Sequence, residues 1–213
     1  MKELRELGVR TVPVVSRGKN FVFAQVIRDV VEFLELKENS APELSPKVLA
    51  KRYEKILAKA IQLTRQMPDS RLQDELPNRQ RSWLVLMHHV FQIPKAFLDM
   101  ELNDETLTYE SMVAPPPRNL TSSADIAEFG ERVRSRFKNW WIDSEFKDFS
   151  EDVPTYFGLT TRHEMLERTV WHSTQHVRQV CALLEEAGVI PEAPLTIRDI
   201  EGLPLTNAIW DEA

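Results

Sequence analysis

Trp171-His172-Ser173-Thr174-Gln175-His176-Val177-Arg178-Gln179 places two imidazoles four residues apart within the longest well-capped helical pattern of the chain. At about 1.5 Å rise and 100° per residue, His172 and His176 lie roughly 6 Å apart along the helix and about 40° apart around it. Both rings can therefore reach one point, and that point can hold a divalent ion. Sites that keep positions open for water or substrate commonly use three protein ligands. The chain has five histidines, at 88, 89, 163, 172 and 176, so the adjacent His88 and His89 on a second apolar stretch are the natural source of the third. The same spacing also occurs in ordinary helices whose histidines bond to carbonyls, and spacing alone leaves both readings open.

Outward from this stretch the pattern is helical. Thr161-x-x-Glu164 forms a capping box ahead of it, and Gly188 supplies the terminator. Ser45-Pro46 starts an earlier helix, whose stripe of Leu49, Tyr53, Ile56, Leu57, Ala60 and Leu63 runs to about Met67. A second begins near Asn78 and is apolar nearly all round between Trp83 and Phe91; Pro94 inside it removes one backbone donor. Ser122-x-x-Asp125 opens a third through Ile126, Phe129, Val133, Phe137 and Trp140, and its Arg132, Arg134, Arg136 and Lys138 read as a solvated face. The stretch 68–77 reads as a connection with a short turn around Leu72, 143–159 as irregular and aromatic, and 103–120 as a long loop and candidate lid. The tail beyond Val189 is too rich in proline for helix and too apolar to hang free, so it is expected to wrap the helices.

The amino-terminal segment differs. Thr11-Val12-Pro13-Val14-Val15 is a β-branched run, Arg17-Gly18-Lys19-Asn20 is turn chemistry, and Phe21-Val22-Phe23 can pair back as a second strand before an amphipathic helix over 24–36. A hairpin of this size is not stable alone and must dock on its own chain or on a partner.

The net charge of −6 argues against a general binder of nucleic acid or anionic membranes, because counterion release needs a basic surface. A single cysteine, Cys181, cannot form an internal disulfide and suits a reducing cytoplasm; its side chain faces away from the histidine pair and reads as an inert buried thiol. Met1 to Arg10 alternates charge with leucine, unlike a signal peptide, and a cytoplasmic protein is expected.

Two resemblances bear on this reading. Four helices with a histidine deep in the second and HxxxH in the fourth resemble the DinB/YfiT-like family of metalloenzymes over about residues 45–187. The matching stretches are Ser82-Trp83-Leu84-Val85-Leu86-Met87-His88-His89-Val90 and the stretch quoted first. The resemblance implies a mainly α, DinB-like four-helix bundle whose metal is held by His89, His172 and His176. His89 is chosen over His88 because an apolar residue follows the family's histidine, as Val90 does here. It implies zinc or nickel before iron or manganese, a small-molecule substrate, and a low-molecular-weight thiol used in transfer or isomerisation. His88 then has a supporting or packing role, Arg168 is a candidate partner for a substrate carboxylate, and Gln92 and Gln179 are candidates to orient ligand histidines. His163 is expected to be exposed, and neither Asp99 nor Glu167 stands out as a general base.

Residues 1–36, with Thr11-Val12-Pro13, resemble the last third of a glutaredoxin, in which that proline is cis. The family's Cys-x-x-Cys is missing, so no glutaredoxin activity carries over. The expected organisation is this fragment over 1–36, a linker over 37–44, and the bundle with its wrapping tail over 45–213. Two alternatives accompany the thiol enzyme: a non-catalytic homodimer joined through the hairpin with the metal as a structural staple, and a metal-dependent hydrolase.

Overall fold

The computed structural model describes residues 14–37, 40–77, 79–103 and 105–210. It is mainly helical with three small antiparallel hairpins. Strands β1 (Val14–Arg17) and β2 (Asn20–Phe23) pair Val14 with Phe23 and Arg17 with Asn20 across a two-residue turn. Gly18 makes that turn possible at φ +64°, where a Cβ would be strained. Helix α1 (Ile27–Phe33) follows, shorter at both ends than the periodicity predicts. Thr11, Val12 and Pro13 lie outside the described residues.

The amino-terminal piece docks on its own chain. Val26 is buried, Arg28 donates to the Leu159 carbonyl and lies 3.8 Å from Glu164, and Arg168 donates to the Gln25 carbonyl.

Four long helices enclose one core: α2 (Pro46–Gln66), α3 (Trp83–Asn103), α5 (Ser123–Ser144) and α6 (Arg162–Glu186). The start signals act as their chemistry demands. Ser45 Oγ accepts from the Val48 amide, and complete capping boxes join Ser122 to Asp125 and Thr161 to Glu164. Ala187 closes α6, and Gly188 follows at φ +74°. Each of α2 and α3 packs against both α5 and α6, whereas α2 and α3 hardly touch each other. α2 and α3, consecutive in the chain, thus stand across the core from each other, an arrangement that a short loop cannot make.

The long connections that permit it are structured: the turn expected around Leu72 is present, and 143–159 is not irregular throughout. Between α2 and α3 lie a 3₁₀ turn (Asp69–Arg71) and strands β3 (Glu75–Leu76) and β4 (Arg79–Ser82), so α3 begins at Trp83 rather than near residue 78. Between α5 and α6 lie β5 (Asp152–Thr155) and β6 (Gly158–Thr161). Both hairpins were hidden because their strands are short and polar, with little period-2 apolar signal. The loop after α3 carries the short helix α4 (Tyr109–Met112), boxed by Thr108 and Ser111, and joins β5 through Tyr156 N–H to the Leu107 carbonyl.

The core is aromatic: Tyr53, Trp83, Phe91, Phe97, Phe137 and Trp140 are fully enclosed. Glu101, its side chain 2% exposed, accepts from Arg162 at 2.9 Å and from the Trp140 indole at 3.2 Å, tying the end of α3 to the start of α6. The arginines of α5 are not simply a solvated face: Arg134 reaches Glu54 on α2 and Arg136 reaches Asp99 on α3. These long side chains cross the seams because their stems cover apolar surface while their heads find carboxylates.

The tail folds back over the helices through α7 (Ile197–Ile200). Lys59 pairs with Asp199 at 2.8 Å, and Gln175, Arg178 and Gln179 donate to backbone carbonyls between Thr206 and Ile209. Among the described residues, no helix is long and apolar enough to cross a membrane.

Candidate metal centre

α3 and α6 pack side by side, and each turns histidine to the shared seam. The seam is apolar because α3 is buried on nearly every face, from Trp83 through Met100. His89 from α3 meets His172 and His176 from α6, and one ring nitrogen from each lies within 4.8 Å of the others. Ring centroids are 5.0 Å apart for His89–His176 and for His172–His176, and 5.4 Å for His89–His172. This is the spread expected of nitrogens that share an ion at about 2.0–2.1 Å each, after modest closing of the rings.

The tautomer of His176 follows from its neighbour. Gln179 Nε2 donates to the Ile209 carbonyl at 2.9 Å, which leaves its Oε1 to accept from His176 Nδ1 at 2.7 Å. His176 Nε2 then carries the lone pair. That atom and His172 Nδ1 are buried with no hydrogen-bond partner among the described residues. Leaving such atoms unmet costs about 1–3 kcal/mol each, and a Lewis acid would satisfy both.

The electrostatics keep the rings neutral, the state in which imidazole binds metal. Burial, then the neighbouring His176 and Arg81, push His89 down to about 3. Burial lowers His176 to about 4 against the opposing Gln179 bond, and burial with His176, His89 and Arg168 beside it holds His172 well below the usual range. The three histidines form a group of potential donors with no aspartate, glutamate or cysteine in it among the described residues.

The other candidate residues are placed as follows. His88 packs apart from the triad, stacked on Phe129 with centroids 5.1 Å apart, and burial pushes it down to about 4. Gln92 donates to the Ser111 carbonyl at 2.8 Å and so anchors the α4 loop. Arg168 stacks against Phe157 and Trp171, with the Gln25 carbonyl as acceptor. It lines a cleft of about 850 Å³ with Glu43, Glu167, Phe157 and Trp171. His163, expected to be exposed, is half-buried, its Nε2 2.8 Å from the Leu44 carbonyl; the linker folds over the first turn of α6 and covers it. Asp99 is engaged by Lys95 and Arg136. Cys181 is half-buried, and burial pushes its thiol up, away from nucleophilic character.

Sequence reasoning missed Arg81. It lies on β4, a strand with no apolar pattern, and its charge disfavours protonation of all three histidines. No protein-family model matches the chain, and no curated protein does.

Proposed function

We propose that the chain is a divalent-metal-dependent enzyme of the DinB-like four-helix class that handles a low-molecular-weight thiol, as a transferase or isomerase. The observation that carries this reading is the convergence of His89, His172 and His176 with two buried ring nitrogens left without partners. Three imidazoles suit zinc or nickel first, and iron or manganese less. When bound, such an ion supplies Lewis acidity that lowers the pKa of a thiol or a water.

The chain's own residues support that chemistry in specific ways. α3 and α6 hold the three donors on rigid elements. Gln179 fixes His176 with Nε2 toward the seam and restrains the ring, as an outer partner of a ligand histidine should. The depressed proton affinities keep all three nitrogens available at neutral pH.

The thiol is favoured over hydrolysis by the donor set. A hydrolase usually sets a carboxylate near its activated water as general base, and the group of potential donors contains none among the described residues. A thiol, with an ordinary pKa near 8.5, needs only a modest push to become the nucleophile. A structural staple would close its coordination with a fourth side chain, and no fourth donor accompanies the three among the described residues.

The experiment is metal content by inductively coupled plasma mass spectrometry on untagged protein, beside His172→Ala. About one divalent ion per chain, lost in the variant, is expected, followed by consumption of thiol in the presence of an electrophilic acceptor. Protein that takes up no zinc, nickel, manganese or iron would rule the reading out. Metal bound without any thiol turnover would favour the staple.

A further inference from the structure

The carboxy-terminal tail reaches the histidine triad through one carbonyl. Residues 206–209 are exposed and irregular, a strap laid over α6, and Trp210 beyond them is half-buried against the core. Three side chains of α6 take hold of the strap's backbone. Arg178 donates from Nη1 to the Thr206 carbonyl at 2.7 Å and from Nη2 to the Asn207 carbonyl at 3.0 Å. Gln175 Nε2 donates to the Ala208 carbonyl at 3.1 Å and to the Ile209 carbonyl at 2.9 Å, while its Oε1 accepts from Arg178 Nη1 at 2.7 Å. Gln179 Nε2 meets the same Ile209 carbonyl at 2.9 Å. Positions 175, 178 and 179 are three and four residues apart, so the three side chains share one face of the helix.

A carbonyl can only accept, and that gives the strap its leverage. A glutamine amide has one donating end and one accepting end, so its two orientations present opposite chemistry to a neighbour. With the Ile209 carbonyl in place, Gln179 must turn Nε2 to the strap, and Oε1 is left to accept from His176 Nδ1 at 2.7 Å. With the strap displaced, the amide is free to turn over. Nε2 then donates to His176 Nδ1, and the ring proton moves to His176 Nε2, which loses the lone pair an ion would need.

Resting on the metal reading above, we propose that Gln175 and Arg178 are positioning residues of the metal centre: they dock the strap, the strap's Ile209 carbonyl sets the Gln179 amide, and that amide keeps the His176 proton on Nδ1 and the Nε2 lone pair free for the ion. The strap supplies no ligand, yet metal affinity depends on its docking. The planar guanidinium of Arg178 suits this task, because its fork spans two successive carbonyls in one fixed geometry.

The test uses the full chain with two readouts: the imidazole ¹⁵N shifts of the metal-free protein at neutral pH, which report the tautomer, and zinc affinity by competition with a chelator. The native His176 should carry its proton on Nδ1. In the double variant Gln175→Ala/Arg178→Ala the tautomers should mix, and zinc affinity should fall by about 10- to 100-fold, the effect of losing an outer partner of a ligand histidine. Arg178→Lys alone should lose less. Adding Gln179→Glu to the double variant installs a carboxylate whose two oxygens both accept, and should restore the Nδ1 proton and part of the zinc affinity without the strap. A double variant that melts earlier but keeps the native tautomer and zinc affinity would overturn the proposal, and so would a native His176 protonated on Nε2 or a Gln179→Glu addition that restores nothing. A native chain with the Nδ1 proton in place that takes up no zinc would overturn the metal reading and leave the strap's hold on the ring standing. Circular dichroism identifies a double variant that has lost its fold, and Gln175→Ala and Arg178→Lys singly then read the same two quantities.

Discussion

The Tyr53 hydroxyl lies 2.7 Å from Ser173 Oγ, and Ser173 Oγ donates in turn to the Val90 carbonyl at 3.0 Å. Since the serine hydrogen goes to Val90, Tyr53 is the donor to Ser173. This buried relay joins α2, α6 and α3 next to two of the three convergent histidines, for Ser173 follows His172 and Val90 follows His89. Burial pushes the Tyr53 phenol far above its ordinary range, so it stays a donor throughout the accessible pH range.

Ser173→Ala removes the middle of the relay and strands both ends. A loss of about 1–3 kcal/mol in denaturant unfolding is expected, because a buried donor and a buried acceptor each lose a partner. Tyr53→Phe should cost less, and the double variant less than the sum, as for residues in one network. Additive losses would show that the two hydroxyls act independently.

Gln179→Ala frees the His176 ring and leaves the Ile209 carbonyl to Gln175 alone. Zinc affinity measured by competition with a chelator should fall by about 10- to 100-fold, the usual effect of removing an outer partner of a ligand histidine. Unchanged affinity would mean that packing alone orients the ring.

Gly130 on α5 is a point of close approach. A Cβ there would meet the Phe91 ring at 2.8 Å and Ile61 at 3.0 Å. Gly130→Ala gains helix propensity, yet Phe91 is fully enclosed and has little room to give way. Overpacking of about 1–3 kcal/mol should win, lowering the melting temperature by about 2–4 °C per kcal/mol for a chain of this size. A rise in melting temperature would show that the aromatic ring shifts freely.

Glu167 gives a pH signature. Burial, reinforced by Glu164 and by the Glu43 charge, pushes its carboxyl from near 4.5 up to about 7. The folded chain therefore binds more protons there than the unfolded chain between those values, and this residue's contribution to stability falls as pH rises through that window. Glu167→Gln should be neutral at pH 4 and more stable than the native protein at pH 8. Solvent around the half-exposed group limits the gain to about 1 kcal/mol. Taking the difference between the two unfolding curves isolates Glu167 from the histidines; a difference that does not vary with pH would refute the shift.

Much was legible in the amino-acid order, for local reasons. Caps are local chemistry, so Ser45, Ser122 and Thr161 announce three helix starts at the residues where α2, α5 and α6 begin. Periodicity is local geometry, so the chain reads as mainly helical, and HxxxH places His172 and His176 on one face before anything else is known. The Gly18 turn is legible for the same reason, since a two-residue turn between apolar runs needs a residue that accepts positive φ. The polar strands β3 to β6 were not legible, because their pairing depends on partners and their side chains carry no alternating apolar signal.

Tertiary structure alone decided the rest. Whether His88 or His89 meets the α6 pair depends on the rotation of α3 about its own axis, which is set by how its all-round apolar surface packs between α5 and α6. Adjacent helical residues point about 100° apart, so packing sent His88 to Phe129 and His89 to the triad. The crossing of α2 and α3 to opposite sides of the core, the half-burial of His163 under the linker, and the stacking of Arg168 on Phe157 all join residues distant in the chain. Such contacts are fixed by the balance of burial and unmet charge over the whole molecule, a quantity that no local window of sequence contains.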